Sequence, residues 1–136
     1  MPGLLKLARY ARRYLQPEHI ANITKVRDYL QTLPRDYKHF DMGTFFQLYW
    51  DVPGKVSTLT PILLETECGS SACIIGHGPS AGIPPLEDEY WGAYCRRVFG
   101  VTPAEPTVHI WNYLFSPEQG GSHLAAIRRL NAFLKD

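Results

Sequence analysis

The chain has no long run of apolar residues and no marked excess of charge of either sign. No stretch approaches the roughly 20 apolar residues that a membrane-spanning helix needs. The basic start, MPGLLKLARYARRYLQ, has no continuous apolar centre, so we expect neither a membrane span nor a secretory signal. Fourteen Lys and Arg residues and thirteen Asp and Glu residues give a net charge of +1, so the overall charge does not require nucleic acid or an anionic membrane as a partner.

Cysteine is scarce, and internal repeats and low-complexity segments are lacking. The three cysteines are Cys68, Cys73 and Cys95. An odd number cannot pair completely within one chain, so a disulfide framework is not expected and a reducing, cytoplasmic location fits best. With 136 residues, of which 45% are hydrophobic, the chain is long enough to bury a core of its own. We therefore predict a single domain over residues 1–136.

Apolar residues recur at helical spacing along most of the chain. Helices are predicted over residues 3–16, 17–33 and 86–99, between Pro106 and Pro117, and in the final segment 121–136 from a cap at Ser122. Pro17 suits a first helical turn, Ser122 suits an N-cap, and Gly100 suits a helix end. The middle holds an aromatic cluster at residues 45–50 and a DVPGK turn at residues 51–55, and its pattern does not distinguish strand from helix. The prediction is a mainly α domain of five or six helices with an irregular middle in which a small hairpin would fit.

Residues 67–85, ECGSSACIIGHGPSAGIPP, concentrate the residues that can carry chemistry. Ser70 or Ser71 can cap a short helix that runs through His77, and Gly78 with Pro79 can end it. Such a helix of about two turns is too short to be stable alone, so tertiary packing must hold it. The first interpretation of this segment is therefore structural.

The same segment also has the spacing of a zinc site. Cys73 and His77 are four residues apart and so adjacent on one helix face, and Cys68 precedes them by an interval common among zinc ligands. A fourth ligand would have to come from elsewhere in the chain. The candidates are Cys95, His39, Asp41 and His109.

A cysteine nucleophile is the third interpretation, because a thiol at a helix N-terminus is favoured as thiolate. ECGSSAC is similar to the DCG-x-AC segment of the leader peptidases of bacteriocin exporters, which are papain-like cysteine peptidases. The resemblance implies that Cys68 is the nucleophile, with Gln47 and His109 completing the site. This chain has one more residue between the two cysteines than that family.

A broader resemblance covers about residues 28 to 115. LPRDYKHFDMGTF, ECGSSACIIGHG, YWGAYCRRVFGVTPAEP and YLF follow one another in an order similar to a group of small phage and prophage proteins. Where those proteins continue a helix after the histidine, this chain has Gly78, Pro79 and Ser80. Together with the small size of the chain and its lack of a strong catalytic constellation, the resemblance favours a non-enzymatic accessory protein in the cytoplasm of a bacterial host. We expect it to inhibit an antiviral defence system, by binding a host protein or by sequestering a nucleotide ligand.

Two surfaces are candidates for such binding, since Tyr, Trp and Arg are enriched at interface hot spots. The first helix carries three arginines beside two tyrosines, a pattern that suits an acidic protein and, more modestly, a nucleotide or nucleic acid. The second candidate lies within the helix predicted over residues 86–99. A solvated helix face and a half-buried core position are the alternatives. The residues are Arg9, Tyr10, Arg12, Arg13 and Tyr14 on the first surface, and Tyr90 and Trp91 on the second.

Overall fold

The structure is a computed structural model that describes residues 3–37, 40, 74–115 and 122–135, and over these residues the chain is mainly helical without a strand. The predicted mainly α fold is therefore confirmed. None of the helices in these ranges is long and apolar enough to cross a bilayer. The elements are α1 (Leu4–Ala11), a 3-10 turn (Arg12–Tyr14), α2 (Pro17–Gln31), a second 3-10 turn (Ile75–His77), α3 (Trp91–Phe99), α4 (Val108–Ile110), a π-helical segment (Trp111–Phe115) that continues α4 directly, and α5 (His123–Leu134).

The N-terminal helices begin and end close to the predicted positions. Pro17 occupies the first turn of α2, where its missing N–H leaves no hydrogen bond unmade. The backbone N–H of Gln16 donates to Nδ1 of His19 at 3.1 Å and satisfies one donor at this helix start. Val26 and Leu30 lie on the predicted apolar face of α2 and are fully buried.

The helix predicted over residues 86–99 is shorter than its sequence pattern indicates. It begins at Trp91, so the acidic residues that were expected in its first turn precede it. Asp88 has a φ of 59°, a left-handed conformation that cannot belong to an α-helix. The other end is as predicted, because Gly100 terminates α3 with a φ of 70°.

Helix α5 lies between two groups of helices and joins them. It packs against α2 on one side and against α1 and the π-helical segment on the other, while α3 packs against α2. Its N-cap is the predicted one, since Oγ of Ser122 accepts a hydrogen bond from the Ala125 N–H at 3.4 Å. The largest fully buried side chains of this core are Trp91, Tyr94, Phe99, Phe133, Ile23, Leu30, Ile74, Ile75, Ile110, Leu114 and Leu130.

The described part of residues 67–85 is a tightly packed turn. Ile75–His77 form one 3-10 turn that ends at Gly78, as predicted, and further turns follow to Gly82, so the described part of the predicted helix is 3-10 rather than α-helical. Gly78 is buried against Tyr94, and a Cβ there would collide with the tyrosine hydroxyl and lie 2.8 Å from Cε1. The expected cap at Ser70 or Ser71, and the aromatic cluster and turn at residues 45–55, lie outside the described residues.

Candidate functional site

The outer face of α1 and its 3-10 turn presents two tyrosines with an arginine between them. Tyr10 and Tyr14 keep 60% and 50% of their surface exposed, which is high for residues of this size. The Arg13 guanidinium lies 3.9 Å from the centre of the Tyr10 ring, a cation–π contact that orders both side chains. We call Tyr10, Arg13 and Tyr14 the α1 surface.

The other two arginines of the first helix connect it to the end of α5. Arg9 and Arg12 both donate to the backbone carbonyl of Lys135, and the Arg12 bond is 3.1 Å long. The Arg12 guanidinium also lies 5.6 Å from the centre of the Phe133 ring. Cations placed at a helix C-terminus stabilise it, because they compensate the exposed carbonyls and the dipole. These two predicted binding residues therefore have a structural role, which leaves their charges next to the α1 surface.

Charge is distributed unevenly over the described helices. Residues 3–16, 106–115 and 122–135 contain seven Lys and Arg residues, four in the first range and three in the last, and no Asp or Glu. The remaining described residues contain five Lys and Arg residues and seven Asp and Glu residues. Because α1, α4, the π-helical segment and α5 pack together, the described residues on this side of the molecule carry cations and no acid, and we call it the positive side. The cations on it are Lys6, Arg9, Arg12, Arg13, Arg128, Arg129 and Lys135.

The second predicted surface is divided between solvent and core. Tyr90 is 62% exposed, whereas Trp91 is 2% exposed and packs edge-on against Tyr94 with ring centres 5.6 Å apart. Trp91 is therefore corrected from a surface residue to a core residue. Tyr90 lies in extended backbone immediately before α3, whereas Trp91 is the first residue of that helix. The side chain of Tyr90 therefore faces solvent and that of Trp91 faces the core.

The strongest ion pair in the described part of the chain fixes the segment before α3. Arg97 donates from Nε and Nη2 to the two carboxylate oxygens of Glu89, both at 2.8 Å, and Glu89 also accepts from the Leu86 N–H at 3.0 Å. The Glu89 side chain is 6% exposed. The hydrogen bonds from Arg97 lower the pKa of Glu89 despite its burial, and those bonds likewise raise the pKa of Arg97. Glu89, which was predicted to lie in the first turn of this helix, instead connects the preceding loop to α3 through its ion pair with Arg97.

His77, a predicted metal ligand, lies in a buried cluster of rings. It is fully buried, and its Nε2 lies 2.9 Å from the Tyr37 hydroxyl. The Phe40 ring stacks on the imidazole at 5.4 Å between centres. These contacts occupy one ring nitrogen and one ring face, and they match the structural interpretation of this segment.

A second buried histidine belongs to the same cluster and was missed by the sequence reasoning. His123 is 1% exposed, and its ring contacts Tyr37 edge-on at 5.6 Å. Its Nε2 is buried and has no hydrogen-bond partner. The position could have been found, because His123 precedes the buried Ala126 and Leu130 by three and seven residues and so continues their face of α5.

In the part of the chain that the structure describes, the other residues of the predicted metal and nucleophile sites do not lie together. Cys95 is buried on α3, where its thiol donates to the Val101 carbonyl at 3.3 Å, and His109 is half-buried on α4. Among the described ranges, no three His, Cys, Asp or Glu residues form a group that could hold a metal ion. The predicted residues that lie outside those ranges are Cys68, Cys73, Gln47, His39 and Asp41.

Comparison of the chain with protein-family models, with curated proteins and with solved structures found no significant match. Only the chain's own residues therefore bear on its function, and the α1 surface with the positive side around it is the candidate site that the described geometry supports best.

Proposed function

We propose that the chain is a non-enzymatic accessory protein of phage type that inhibits a bacterial antiviral system by binding an acidic surface of one of its proteins. The observation that carries the binding part is the α1 surface, where exposed Tyr10 and Tyr14 flank an ordered Arg13. Tyrosine and arginine supply the largest share of binding energy at many protein interfaces. The phage and anti-defence part rests on the resemblance over residues 28 to 115.

Charge favours an acidic partner over a neutral one. The side of the molecule formed by α1, α5 and the elements between them has no described carboxylate to oppose its seven cations. A concentrated positive side accelerates association with an acidic surface and disfavours basic partners. Arg9 and Arg12, although bound to the Lys135 carbonyl, keep their formal charges and add to this field.

The test is made in bacterial cells that carry an antiviral system and express the tagged chain. We expect phage plating to be restored and one protein of that system to co-purify with the chain. The double variant Tyr10→Ala, Arg13→Ala should lose both effects, because it removes the aromatic contact and the charge together. Arg96→Ala is the matched control, since Arg96 is exposed on α3, away from the α1 surface.

Two results would contradict the proposal. If Cys68→Ser abolishes the effect on phage plating while the protein stays folded, a cysteine hydrolase replaces the binding protein. If the double variant restores plating and retains the partner as well as the unaltered chain does, the α1 surface is not the binding surface.

A further inference from the structure

Arg129 on α5 is a half-buried arginine whose guanidinium group is incompletely hydrogen-bonded. Its Nε and Nη2 atoms are buried and have no hydrogen-bond partner. Buried charged groups are normally paired, because removing an ion from water without a counter-ion is strongly unfavourable. Arg129 as a whole is half-buried, so its two buried donors without an acceptor mark a position where a bound anion would be stabilised.

The two unpaired atoms lie on the same edge of the guanidinium group. Nε and Nη2 together form the fork that holds two oxygens of one carboxylate or phosphate group, with two parallel hydrogen bonds. Side chains that lack this fork, such as lysine, bind anions as point charges. The unpaired edge thus has the geometry of an oxyanion site.

The surroundings of Arg129 contain a third donor and no described acid. Burial raises the pKa of Tyr113, although the charge of Arg129 counteracts part of that effect, so the Tyr113 hydroxyl keeps its proton at neutral pH. Burial also lowers the pKa of Arg129, and the nearby charge of Arg128 acts in the same direction. Neither α5 nor the π-helical segment that bears Tyr113 contains a carboxylate.

The position in the fold connects Arg129 to the positive side of the molecule. Arg129 and Phe133 are four residues apart and therefore neighbours on one face of α5. Arg12 lies over the Phe133 ring, so this face is the one turned towards α1. Arg129 also faces the π-helical segment. Such π-helical turns are rare and are found frequently at functional sites.

We infer that Arg129 binds a phosphate group between α5 and the π-helical segment, with Nε and Nη2 as paired donors and the Tyr113 hydroxyl beside them. A phosphate suits this place better than a carboxylate, because its two negative charges are balanced by the cations of α1 and α5, two helices that contain no acid. The site stands apart from the α1 surface and does not depend on the proposed function.

The test is a titration of the full chain with inorganic phosphate, with sodium chloride at equal ionic strength as the control. The Arg129 Nε–H resonance in nuclear magnetic resonance spectra should shift saturably, and Tm should rise with phosphate concentration. Arg129→Gln should abolish the rise in Tm with phosphate and, because it removes a cation with two buried donors that lack partners, should fold at least as well without phosphate. Arg128→Gln should keep both responses, since Arg128 is exposed. If Arg129→Gln does not fold, Arg129→Lys should fold and bind phosphate more weakly, since it retains the charge without the fork.

Three results would overturn the inference. A response to sodium chloride equal to that of phosphate would show screening alone, and an equal response to acetate would show a carboxylate site. The third concerns Glu118, which follows the π-helical segment in the sequence. If Glu118→Gln lowers Tm and moves the Arg129 resonance, the chain supplies its own counter-ion and no phosphate site exists.

Discussion

Replacing Arg97 with alanine should destabilise the protein more than any substitution of a freely exposed arginine. The substitution removes both hydrogen bonds at 2.8 Å that Arg97 gives to Glu89. It leaves a carboxylate whose side chain is only 6% exposed, with the Leu86 N–H as its remaining described donor. The penalty therefore comes from the uncompensated charge of Glu89 as well as from the lost bonds.

The structure sets the size of this effect. Removing one partner of a fully buried ion pair costs about 3–5 kcal/mol. Arg97 keeps 38% of its side chain exposed, so solvent already screens its charge and we expect the cost to fall to about 2 kcal/mol. For a chain of 136 residues this corresponds to a decrease in Tm of roughly 6–10 °C.

The effect should depend on pH in one direction. Hydrogen bonding lowers the pKa of Glu89 in the folded protein below the ordinary value of 4.5, so the unfolded chain binds more protons at acid pH. The stabilisation from the pair is thus complete above pH 4.5 and is lost as the pH falls through the folded-state pKa. The difference in unfolding free energy between the unaltered chain and Arg97→Ala should shrink over the same range.

Urea denaturation at neutral pH and at several acid pH values measures this difference. Arg96→Ala is the matched control, because Arg96 is an exposed neighbour on α3 that is not part of the ion pair. Equal losses for Arg96→Ala and Arg97→Ala, or a loss for Arg97→Ala that does not decrease in acid, would refute the role given to the ion pair.

Three further substitutions test the packing of the core by the same denaturation measurement. Gly78→Ala should cost about 1–3 kcal/mol through collision with Tyr94, and less in a Tyr94→Phe background that lacks the colliding hydroxyl. Tyr94→Phe alone should cost about 1–2 kcal/mol, since the Ile83 carbonyl loses its buried donor; no loss would contradict that bond. His123→Leu should leave stability unchanged or raise it by about 1 kcal/mol, because Nε2 has no partner; a large loss would indicate a ligand on that nitrogen.

Sequence patterns predicted the helices best where local chemistry decides the structure. Pro17, Ser122 and Gly100 mark helix ends through effects that involve only their own backbone or the next turn, and the structure places each at the predicted end. The start of α3 was predicted wrongly for the opposite reason. Glu89 is of a residue type that is favoured in a first helical turn. Its ion pair with Arg97, eight residues later, fixes it in a loop instead.

The candidate site was predicted less completely, because burial depends on contacts between distant segments. The sequence pattern does not separate Tyr90 from Trp91, which are adjacent and both aromatic, yet one is exposed and the other buried. His123 was missed for a related reason. Its partners are Tyr37 and Phe40, and only the packing of α5 brings them to it.

Net charge was the least informative property, and the fold explains why. A total of +1 suggests a molecule without a strong electrostatic preference, but the described chain separates its charges by element. The acids lie on α2 and in the segments around α3, whereas α1 and α5 carry only cations and pack beside each other. A partner that docks on the outer face of α1 meets these cations first, and the acids of α2, which packs against α5, reduce their field only in part. The same separation leaves Arg129 without a described counter-ion, and it is why we propose an anionic partner both for the α1 surface and for Arg129 although the whole chain is nearly neutral.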